Sequence, residues 1–78
     1  MTAPVRQAHM PEGTACFLDA DRHDRALVVR WETSETGSDI VILSLWRANE
    51  CLGTFRLARD EVASLLTTLS AGLAATTR

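Results

Sequence analysis

The sequence predicts an α+β fold, a four-stranded antiparallel β-meander followed by one C-terminal amphipathic helix (β-β-β-β-α) that pairs as a homodimer. Three observations predict it. Residues 25–33 alternate apolar and polar side chains, as a half-buried strand does. Residues 39–57 hold two apolar runs joined by a short polar turn. Val62, Leu65, Leu66, Leu69 and Leu73 then recur at the spacing of one helical face.

The elements follow in order. Met1 to Gly13 contains Pro4 and Pro11 and shows no sustained periodicity, so 1–13 is expected to be a flexible arm and 14–78 a single domain. Thr14 to Ala20 reads as a short edge strand, with Cys16 and Leu18 on one side and Ala15 and Phe17 on the other. Asp21-Arg22-His23-Asp24 is a polar turn. From Arg25 to Thr33, Leu27, Val29 and Trp31 share one face of a strand, and Ala26, Val28, Arg30 and Glu32 the other. Ser34 to Ser38 reads as a hairpin loop in which Gly37 supplies a positive φ.

Asp39 to Arg47 is the most apolar strand. Ile40, Ile42, Ser44 and Trp46 lie on one face and Val41, Leu43, Leu45 and Arg47 on the other, so burial on both faces is expected. A turn at Ala48-Asn49-Glu50 follows, with Asn49 suited to the left-handed position. It returns the chain to a strand over Cys51–Leu57, where Gly53 marks a bulge or a close approach. The helix is expected from about Arg59 to Leu73 and frays beyond it. Asp60 and Glu61 suit its first turn, but the N-cap position holds Ala58, which cannot cap.

Composition narrows the function. A chain of 78 residues buries only about 60% of the surface its unfolded form exposes, so a second copy is a natural source of stability. Net charge is −2 and pI about 5.5, which leaves no global basic field for nucleic acid. All eight Lys-plus-Arg positions are arginine, as in a protein from a high-GC bacterium. Cys16 and Cys51 have no zinc-site spacing and read as buried thiols of a reducing cytoplasm, with one inter-strand disulfide as the alternative. Asp19, Asp21, His23 and Asp24 lack the glycine and distal glutamate of a calcium loop. No signal-peptide pattern and no apolar run near ~20 residues occurs, so a cytoplasmic protein is expected, with no membrane partner.

One helix covers one face of a sheet. The central strands offer two apolar faces, and an uncovered one would leave a patch of several hundred Å² in water. The expected partner is therefore the chain itself, through Trp31, Ile40, Ile42 and Trp46, with another regulatory protein as a further partner. No cofactor or metal is expected, and neither cysteine nor His23 stands in a pattern that assembles a nucleophile with its base. The expected function is a small non-enzymatic dimeric module of regulation or interaction, including transcription regulation.

Asp39–Arg47, the turn, Leu52-Gly53-Thr54-Phe55-Arg56-Leu57, and the helix start Asp60-Glu61-Val62-Ala63-Ser64-Leu65-Leu66 together resemble the PC4-like transcriptional coactivators. That pattern has an apolar strand, a short turn, Lys-Gly-Ile-Ser-Leu and an acid-rich helix start. Gly53, Leu57, Glu61 and Leu65 match it, while Cys51 and Leu52 stand where the family has lysines. The resemblance covers the second half of the chain. It implies a dimer that binds single-stranded DNA, and so an alternative function as a single-stranded nucleic-acid-binding protein. Arg25, Arg30, Arg47 and Arg56 would then meet phosphates and a tryptophan would stack on bases.

Overall fold

A computed structural model of the chain describes residues 13–33 and 36–76. It is a four-stranded antiparallel sheet followed by one helix. The elements are β1 (Thr14–Leu18), β2 (Arg25–Glu32), β3 (Ile40–Arg47), β4 (Glu50–Ala58) and α1 (Arg59–Ala75). The strands lie side by side in sequence order, so β1 and β4 are the edges. Residues 1–12 of the expected arm, the centre of the loop after β2, and the last two residues lie outside the described residues.

Register divides the side chains between two faces, because successive residues of a strand point oppositely. Leu57, Val41 and Trp31 form one cross-strand row on the first face. Phe55, Leu43, Val29 and Ala15 form the next, and Gly53, Leu45, Leu27 and Phe17 the one after. A charged row, Glu50, Arg47 and Arg25, closes that end. The second face carries Arg56, Ile42, Arg30 and Thr14 in one row, Thr54, Ser44, Val28 and Cys16 in another, and Cys51, Trp46, Ala26 and Leu18 in a third. The register shifts between Leu45 and Trp46, so Leu52 is the extra residue of a bulge beside Gly53.

The expected two-sided burial of β3 is present near its N-terminal end, at its second and third residues. Consecutive Val41 and Ile42, on opposite faces, are 5% and 6% exposed and are the buried apolar residues among the described ones. The strand ends differ from expectation in ways the hydrogen bonds explain. β1 stops at Leu18 because the Asp19 carboxylate takes over, its Oδ1 accepting from the backbone N–H of Asp21 and of Arg22 at 2.8 Å each. At the β3–β4 turn Arg47 pairs with Glu50, leaving Ala48 and Asn49 as a two-residue connection. The positive φ falls on Ala48 (53°), correcting the expectation for Asn49. Positive φ at the first central residue is the type II′ pattern, which matches the twist of the strands. Gly37 has the expected positive φ, 86°.

The helix follows β4 with no loop. Ala58 is its N-cap, in extended conformation (φ −66°, ψ 151°), with no side-chain cap hydrogen bond. It runs two residues past the expected end. Thr76 holds that end, its N–H donating to the Gly72 carbonyl and its hydroxyl to the Leu73 carbonyl, both at 3.1 Å.

Candidate functional site

The helix does not close over the sheet, which corrects the expectation that it covers one face. It inclines over the first face from the β4 edge, and none of its residues is buried. Between them lies an open groove of about 500 Å³. Its floor is Phe17, Leu27, Val29, Trp31, Val41, Leu43 and Leu57. Its wall is Val62, Leu65 and Leu69 of α1. Every lining side chain is apolar, so the groove offers shape and dispersion contact and no group for acid–base or nucleophilic chemistry.

Apolar exposure continues beyond the groove. Leu69 on its wall is 62% exposed, and past it Leu73, Leu66 and Phe55 are 72%, 63% and 61% exposed. The sequence reading placed no interface on α1. Its signal was there: Leu65 and Leu66 are adjacent, which widens the apolar stripe past what one sheet can cover.

The expected interface residues fall on different faces. Trp31 is opposite Val41 and lines the groove. Ile40, Ile42 and Trp46 lie on the second face. Trp46 is half-buried there and its Nε1 donates to the Ser44 hydroxyl at 3.0 Å.

The four arginines divide the same way. Arg30 and Arg56 flank Ile42 in one row of the second face. Arg30 pairs with Glu32 on its own strand at 3.6 Å. Arg25 and Arg47 face each other on the first face, at its charged end. Arg47 is paired with Glu50 at 3.1 Å, whereas the buried Nε of Arg25 has no hydrogen-bond partner.

The remaining candidates do not converge. Cys16 and Cys51 sit on opposite edge strands, three strand spacings or roughly 14 Å apart, beyond the reach of a disulfide within one chain. Cys51 is exposed rather than buried, its thiol directed at the Gly53 carbonyl at 3.5 Å. The carboxylate of Asp19 is spent on its own turn, and those two backbone N–H groups hold its pKa below the usual range. Among the described residues no cluster of His, Cys, Asp or Glu could hold a metal ion, and no helix is long and apolar enough to cross a membrane. The chain matches no protein-family model, no curated protein and no solved structure.

Proposed function

We propose that the protein is a small non-enzymatic module of regulation or interaction that works as a homodimer in the cytoplasm. One observation carries this reading: an open groove, lined by apolar side chains throughout, is continuous with an exposed leucine stripe on the helix. A surface of that kind is suited to another protein. Sedimentation of the full chain tests it. A dimer at micromolar concentration is expected, and a strict monomer would overturn the reading.

A second reading is single-stranded nucleic-acid binding on the face away from the helix, as part of transcriptional control. Arg30 and Arg56 share a row there with Trp46 on the same face, a pairing of cation and aromatic suited to phosphate and base. The order of elements shared with the PC4-like coactivators supports it. Arg25 and Arg47, on the opposite face, would contribute nothing to that footprint. The test is fluorescence anisotropy with a labelled oligonucleotide at low salt. Binding that weakens with salt, with a slope reduced by about 1 in Arg56→Ala, is expected. No binding at low salt would end this reading.

A further inference from the structure

The geometry points to a second copy of this chain as the occupant of the helix-side groove, each protomer's leucine stripe lying against the other's open sheet face. This rests on the dimer reading above and names the surface that forms it.

The apolar face and the apolar helix are two halves of one unfinished contact. The groove is concave and lined without charge; the helix presents Leu69 on its wall and Leu66 and Leu73 beside it, each 62–72% exposed. A small hydrophobic ligand could fill the groove but would leave Leu66 and Leu73 in water. A second copy related by a two-fold axis covers both at once, because a symmetric interface uses the same patch twice, as receptor and as insert.

The area agrees. Phe17, Trp31, Phe55, Leu66, Leu69 and Leu73 are 45–72% exposed. At roughly 200 Å² for each large side chain they leave on the order of 700 Å² open. Specific interfaces take about 800 Å² from each partner, and Leu45 and Leu65, both 40% exposed, supply the difference. The face is also bounded as an interface core should be. Its apolar rows end at the charged row of Glu50, Arg47 and Arg25, which stays at the rim.

The opposite face is less suited. Arg30, Arg56, Ser44 and Thr54 interrupt its apolar residues, and its central Ile42 is already 6% exposed in the single chain.

Sedimentation equilibrium and tryptophan fluorescence on the full chain test the assignment together. Trp31 lies in the groove and Trp46 on the other face, so Trp46→Phe leaves one reporter inside the proposed interface and Trp31→Phe one outside it. On dilution through dissociation, the emission of W46F should shift to the red and that of W31F should hold. Leu69→Glu and Leu73→Glu should weaken association by about 100-fold or more while leaving the circular dichroism of the sheet intact, since neither side chain is buried in the single chain. A wild-type dimer whose dissociation is reported by Trp46 and not by Trp31, or that survives both glutamates unchanged, overturns the groove assignment and leaves the dimer standing. A wild-type monomer overturns both.

Discussion

The backbone N–H of Ala48 donates to the carbonyl oxygen of Asp24 at 2.8 Å, tying the β3–β4 turn to the turn before β2. Beside that bond Ala48 has a positive φ, 53°. For an alanine this conformation costs about 1–2 kcal/mol, part of which a glycine would return as lost chain entropy. Ala48→Gly should therefore raise unfolding stability by about 0.5–1 kcal/mol in urea titration. Ala48→Pro should lower it by more than that, because proline can neither donate the bond nor reach the positive φ. A glycine variant less stable than wild type would show that Ala48 is unstrained.

Helix α1 starts on Ala58 without a side-chain acceptor, although the backbone there already has the extended conformation of a cap. Glu61 stands at the third helical position. Ala58→Ser would complete a reciprocal capping box with it. The expected gain is about 1 kcal/mol, read by chemical denaturation, together with higher helical circular dichroism. No gain would mean that β4 pairing, in which Ala58 is opposite Ile40, resists the new side chain.

Asp19 makes stability depend on acid. Hydrogen bonds from the N–H of Asp21, then of Arg22, lower its pKa from the usual 3.8 against the opposing effect of desolvation. A lowered folded-state value means the unfolded chain takes up the proton first. The stabilisation is present above about 3.8 and is lost as pH falls through the lower folded value. Asp19→Asn keeps an oxygen acceptor for both N–H groups but cannot titrate. Between pH 5 and pH 2 its urea midpoint should fall less than that of wild type; an equal fall would assign the acid sensitivity to other carboxylates.

Ile42 should be the most sensitive apolar position of the second face. Ile42→Ala should cost about 2–5 kcal/mol, set against the roughly 4–12 kcal/mol that a chain of this length holds. Ser64→Ala, on the exposed polar side of the helix, should stay within about 0.5 kcal/mol of wild type. Equal effects of the two, measured by denaturant midpoint, would show that the first half of β3 is not the core.

Element order was legible because alternation in 25–33 and 39–57 and the leucine spacing after Val62 are strong periodic signals. So was the two-sided burial of Val41 and Ile42, which needs only consecutive apolar residues in a central strand. The arginine division was also written in the chain. Arg25 and Arg30 are five residues apart on one strand, so they must point to opposite faces. Placing Trp31 against Val41 needed the pairing register, which loop length decides and alternation alone does not. Propensity favoured Asn49 for the left-handed position, but the pairing of Arg47 with Glu50 gave it to Ala48. The open groove was not legible at all. Leucine spacing says which side of α1 faces the sheet and nothing about how far away it lies.

The loop-free junction at Ala58 makes α1 a lever on a single residue. The helix has 17 residues, a rod about 25 Å long at ~1.5 Å per residue, so a change of about 10° at its base carries its far end about 4 Å. The width of the groove is thus governed by one pair of backbone angles at the sheet edge, and whatever bends the end of β4 is geared directly to the spacing of Leu69 and Leu73 from the sheet.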